Sequence, residues 1–102
     1  MKPARRDELI RAMFDDDMRL LQSKGKDYAG DVDALQNFRT WGVMGIAVRM
    51  DDKMARLRNI VKSGRVAVAG ESLEDTLRDL SNYAFLARVV LAEAKEQMEG
   101  KS

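Results

Sequence analysis

Glu71-Ser72-Leu73-Glu74-Asp75-Thr76-Leu77-Arg78-Asp79-Leu80-Ser81-Asn82-Tyr83-Ala84 sets the architecture of this 102-residue chain. At about 100° per residue the segment sorts into two separate sectors. Leu73, Leu77, Leu80 and Ala84, continued by Ala87 and Leu91, fall in one; Glu71, Asp75, Asp79 and Asn82 fall in the other. The spacing predicts the first half of a long helix with a core face and an opposite ladder of acids. Three carboxylates on successive turns with an amide beside them suit a hard divalent cation, which takes several oxygen ligands from a rigid support. The same residues also suit a helix start, because acids there oppose the macrodipole and Ser72 with Asp75 three residues on is close to a capping box. A solvated, capped face and a metal site both remain open from this helix alone.

Working outward, the helix is expected to run from Ser72 to about residue 96. Its middle, Tyr83 to Ala92, is apolar almost all round, the pattern of a helix buried on more than one side. In a chain this small the second covering surface is most simply another subunit, with Phe85, Leu86, Val89 and Val90 in the interface. The polar residues 95–102 should fray. Upstream, Ser63 to Gly70 reads as a connector, loop or short extended segment, between this helix and a second one over about 45–62, entered through Gly42 and Gly45. Ile46, Met50, Met54, Leu57, Ile60 and Val61 form the expected core face of the second helix. Beside them Arg49, Asp52, Lys53 and Arg56 make a mostly cationic ladder complementary to the acidic one. If the two helices pack antiparallel, the ladders make either interhelical ion pairs or a pocket with carboxylates on one wall and cations on the other. Magnesium bound to a nucleoside triphosphate needs such a pocket.

The first helix is expected over about 4–22, with Leu9, Ile10, Met13, Phe14, Leu20 and Leu21 on one face. Asp17 sits in the middle of that face and should meet a lysine, an arginine or a cation. Ser23 to Asp33 reads as a loop, with Lys24, Lys26 and Tyr28 suited to phosphates beside a base. A short helix is expected over 34–40, and Phe38 and Trp41 are expected to seal the end of the bundle. The fold class is all-α: a small antiparallel bundle of three main helices in one domain over 1–102, completed by oligomerisation.

Composition narrows the chemistry. Eighteen basic residues nearly cancel seventeen acidic ones, so no global field points to nucleic acid or to a membrane surface. Without cysteine or histidine there is no disulfide, thiolate zinc site or imidazole base. No stretch has the length of a membrane span, and the charged N-terminus lacks a signal-peptide core, so a cytoplasmic protein is expected.

Lys24-x-x-Asp27-Tyr28, Asn37-Phe38, Arg49-x-x-Asp52-Lys53-x-x-Arg56 and Glu71-x-x-x-Asp75-x-x-x-Asp79-x-x-Asn82-Tyr83 together resemble a phage-associated group of small MazG-like proteins. These are similar to the all-α nucleoside triphosphate pyrophosphatases. The resemblance spans about Lys24 to Leu86. It implies an oligomeric helical protein that binds magnesium through acids of two antiparallel helices and cleaves a (deoxy)nucleoside triphosphate to monophosphate and pyrophosphate. Where the family pattern has Glu-x-x-Glu and Glu-x-x-Asp, this chain has Arg49-x-x-Asp52 and Thr76-x-x-Asp79.

On that resemblance Asp52 and Asp79 match by position, and with Glu71 and Asp75 as further acids they are the expected ligands of Mg2+, or of Mn2+. Lys53, Arg49 and Arg56 neutralise phosphates, helped by Lys24 or Lys26. Tyr28 or Asn37 faces the base or sugar, Asn82 completes the substrate site, and Glu71 is the general base. A homo-oligomer, dimer or tetramer, acting on a nucleotide is thus expected, with no membrane or nucleic-acid partner. Two alternatives stand beside it: a non-catalytic nucleotide binder, and a structural oligomer whose ladders are ion pairs.

Overall fold

The computed structural model describes residues 1–28, 33–64, 67–68 and 71–100; at 25–28, 67–68 and 71 it describes the backbone alone. The chain is all-α, with three long helices: α1 (Pro3–Tyr28), α2 (Gly42–Ser63) and α3 (Leu73–Met98). A short 3-10 turn, Gln36–Phe38, precedes α2. Two compact units divide the chain, Met1–Asn37 and Phe38–Ser102.

The first unit is dominated by α1, which runs six residues past the expected end at 22 and takes in Ser23 to Tyr28. The expected loop over 23–33 is corrected accordingly: Gly25 costs the helix only about 1 kcal/mol relative to alanine, too little to end it without a proline or a cap. Lys24 is an exposed helical residue, and the Lys26 and Tyr28 side chains lie outside the described residues. Ile10, Met13 and Phe14 of the expected core face are exposed, while Leu9, Asp17, Leu20 and Leu21 are half-buried. After α1, the Asp33 carboxylate accepts from the Leu35 N–H at 3.1 Å and starts the turn that leads to Asn37.

The second unit is an antiparallel helix pair. α2 begins at Gly42, whose φ of +56° is a conformation that side-chain-bearing residues adopt at a cost, and ends at Gly64 in the left-handed region. Gly45 lies inside the first turn of α2 rather than in the turn before it; a Cβ there would come within 2.7 Å of the Trp41 Cβ. Trp41 itself is exposed and does not seal the helix end, whereas Phe38 is half-buried beneath the Arg49 guanidinium, 5.4 Å from its ring centroid. The connection to α3 is a two-residue antiparallel ladder, β1 (Ala67–Val68) with β2 (Glu71–Ser72), in which Val68 faces Glu71. Arg39 is joined to Glu93 through both terminal guanidinium nitrogens, one at 2.8 Å, and Lys53 is joined to Asp79. Arg39 to Lys53 and Asp79 to Glu93 span the same number of residues, which fixes the antiparallel register.

The seam of this pair is rotated relative to the leucine pattern. On α2 it follows Ile46, Met50, Lys53, Leu57 and Ile60, with Ile46 and Ile60 fully buried at roughly 1.5–3 kcal/mol each. Met54 and Val61, expected in the core, are exposed. On α3 the buried and half-buried residues include Leu73, Thr76, Arg78, Asp79, Leu80, Asn82, Tyr83, Ala84, Leu86, Ala87 and Val90, while Leu77 and Leu91 face out. The expectation that the leucine sector alone forms the core is therefore corrected. α3 carries apolar residues nearly all round, so its leucines do not determine which side packs against α2. Residues 95–98, expected to fray, continue the helix.

The start of α3 is a capping box. Ser72 Oγ accepts from the Asp75 N–H at 3.0 Å, and an Asp75 carboxylate oxygen accepts from the Ser72 N–H at 3.3 Å. Glu71 consequently lies in β2, before the cap, and not on the helical ladder expected from its spacing. Ser72→Ala should lower the unfolding free energy by about 1 kcal/mol in urea titrations, and Ser72→Thr should retain most of it.

Candidate functional site

The charged centre of the second unit is the Lys53–Asp79 pair. Lys53 Nζ lies 2.7 Å from an Asp79 carboxylate oxygen, with the two side chains 18% and 23% exposed. Both positions occupy the seam, where an apolar pair would otherwise fit, so each charge is partly desolvated and held by the other. One turn towards the C-terminus of α3, Asn82 is 7% exposed, and its side-chain oxygen is buried with no hydrogen-bond donor among the described residues. One turn the other way, Thr76 is fully buried, and its hydroxyl donates to the Ser72 carbonyl at 3.1 Å.

The remaining expected residues have other surroundings where they are described. Asp52 and Arg56 are exposed on α2, and Arg49 is exposed with its guanidinium over Phe38. The Asp75 carboxylate engages the backbone of its own helix cap. Glu71 is placed by its backbone in β2, and its side chain lies outside the described residues, as do those of Lys26 and Tyr28. Lys24 and Asn37 belong to the first unit and are exposed. Among the described residues no three carboxylates converge closely enough to hold a metal ion by themselves. Lys53 and Asp79 are two expected site residues that the structure brings into direct contact. No described helix is long and apolar enough to cross a membrane.

A family model described as nucleotide modification associated domain 1 matches residues 36–91, more than half of the chain. The chain belongs to that family. Neither the curated proteins nor the solved structures gave a match. The span of this nucleotide modification associated domain takes in the whole of α2 and α3 up to Leu91, and therefore Lys53, Asp79 and Asn82. The family is nucleotide-related by its description, which agrees in that coarse respect with the resemblance drawn from the sequence.

Sequence reasoning located the two ladders but did not anticipate the depth of Asn82. Its signal was present all the same: Asn82 shares the sector of Asp79, and once Asp79 is in the seam, a residue one turn on must be there too. Lys53→Met or Asp79→Leu alone should lower stability by about 1–3 kcal/mol, less than for a fully buried pair because of the residual solvent contact. The double variant should recover most of that loss, as read from chemical denaturation of all four proteins.

Proposed function

We propose that the domain is a MazG-like, magnesium-dependent hydrolase that cleaves a (deoxy)nucleoside triphosphate between the α- and β-phosphates, giving the monophosphate and pyrophosphate. The observation that carries this reading is the partly buried Lys53–Asp79 contact across the α2–α3 seam, in a chain of a nucleotide-related family. Magnesium accepts one or two protein carboxylates and takes the rest of its shell from water and phosphate oxygens, so a short set of acids fits it. Asp79, beside the unpaired Asn82 oxygen, is the first ligand in this reading, with Asp52 one position before Lys53 as the acid from the facing helix. Held by Asp79 and Asp52, the ion would supply Lewis-acid activation of the phosphates and of a water.

The chain's own residues supply the remaining steps. Lys53 exchanges the Asp79 carboxylate for a phosphate oxygen, moving its ammonium only within the reach of its flexible stem. Arg49 and Arg56, one turn to either side on α2, neutralise the outer phosphates. Glu71 serves as base. The exposed apolar side chains of α3, Phe85 and Val89, support a homo-oligomer, dimer or tetramer, in which they are covered. The phage association of the resemblance makes a host's cytoplasmic nucleotide pool the substrate source.

A second reading, a binder that sequesters a nucleotide without cleaving it, is favoured by two observations. Thr76 stands fully buried where the resemblance has an acid, and no three described carboxylates converge. The two readings separate on incubation with a panel of nucleoside triphosphates and magnesium, with products resolved by chromatography. The hydrolase yields monophosphate and pyrophosphate only with the metal, and Asp79→Asn should reduce the rate at least about a hundredfold while the protein stays folded. Intact nucleotide recovered from a saturated complex supports the binder, and no binding at all rejects both.

A further inference from the structure

We infer that the side-chain oxygen of Asn82 is a direct ligand of the cation that Asp79 holds, so that one carboxylate and one neutral amide oxygen of α3 form the core of the protein's share of the coordination. The inference rests on the cation-and-polyphosphate reading of the site.

Its basis is an oxygen with no partner. Asn82 is 7% exposed, and its Oδ1 meets no hydrogen-bond donor among the described residues. Leaving a buried carbonyl oxygen unpaired opposes folding, and native interiors seldom keep one unless water, an ion or a ligand completes it. Asn82 follows Asp79 by three residues, so the two side chains are neighbours on one helix face, and both are turned into the seam with α2. Two other polar residues near the start of α3 are committed elsewhere. Thr76 commits its hydroxyl proton to the Ser72 carbonyl, and Asp75 is engaged in the helix cap.

The chemistry of the pair is selective. An amide oxygen is a hard, neutral donor of the kind that hard divalent cations accept alongside carboxylates. It extends the ligand set without adding a second negative charge, which suits a site that must also admit a polyanion. In the unliganded chain the Lys53 ammonium neutralises Asp79 at 2.7 Å. With a cation and phosphate bound, Asp79 would be neutralised by the cation and Lys53 would be left to pair with the phosphate.

The test uses Mn2+, a hard cation of similar ligand preference, with and without a nucleoside triphosphate whose α,β-bridge is an uncleavable imido group. Thermal melts across a metal titration give the midpoint for stabilisation. The expected results are a metal-dependent rise in Tm for the wild type and, for Asn82→Ala, an unliganded Tm equal to or above it with a metal midpoint at least about tenfold higher. Asn82→Asp, which keeps the oxygen and adds a negative charge, should bring the midpoint below the wild-type value. A structural asparagine gives the opposite pattern, a lower unliganded Tm for Asn82→Ala with an unchanged metal midpoint, and that overturns the inference. Should Asn82→Ala not fold, Asn82→Asp decides alone: a lower midpoint supports the ligand role and an unchanged or higher one overturns it. A wild type without any response to metal or nucleotide overturns the proposed function as well, whereas a responding wild type with an indifferent Asn82→Ala overturns only the role of Asn82.

Discussion

A lysine and an aspartate facing one another in a seam that is otherwise built for apolar contact are the constraint on which the second unit depends. Lys53 stands between Met50 and Leu57 on the inward face of α2, and Asp79 between Thr76 and Tyr83 on that of α3. Two apolar residues would hold the helices together at least as well, since partly desolvated ion pairs add little net stability. What the pair adds is register. A slip by one turn in either direction would break the Lys53–Asp79 contact, and the Arg39–Glu93 contact at the far end of the hairpin enforces the same alignment.

That constraint organises the rest of the site. With Asp79 inward, Asn82 is carried into the interior and Leu77 and Leu91 are carried out. The capping box at Ser72 and Asp75 fixes where α3 begins, and so fixes the height of Asp79 along α2. A polar seam with an unpaired oxygen is an unfavourable way to join two helices, and the proposed nucleotide and cation would supply the missing partners.

The helices, their order and the α3 cap were legible in the sequence because each has a local cause: 3.6-residue periodicity, and a serine followed three residues later by an acid. The end of α1 was not, because a lone glycine is a weak stop and nothing after Leu21 reverses the helical preference strongly enough. The rotation of α3 was hidden for a different reason. Phe85, Val89 and Leu91 make its outer side as apolar as its inner one, so the leucine sector straddles the edge of the seam, with Leu77 and Leu91 left exposed by the single chain. The complementarity of the two ladders was readable as charge, yet only coordinates distinguish Lys53, which enters the seam, from Arg49, which turns to Phe38, and Arg56, which stays outside. Glu71 was drawn onto the helix by its spacing from Asp75; the β2 ladder before Ser72 removes it.

The most direct test of the account is a crystal structure of the protein with Mn2+ and an uncleavable nucleoside triphosphate, with the metal located by its anomalous scattering. The account predicts a metal peak within coordination distance of an Asp79 oxygen, phosphate oxygens completing its shell, and Lys53 Nζ moved from Asp79 to a phosphate. A nucleotide bound elsewhere, with Lys53 and Asp79 still paired at 2.7 Å, would contradict it.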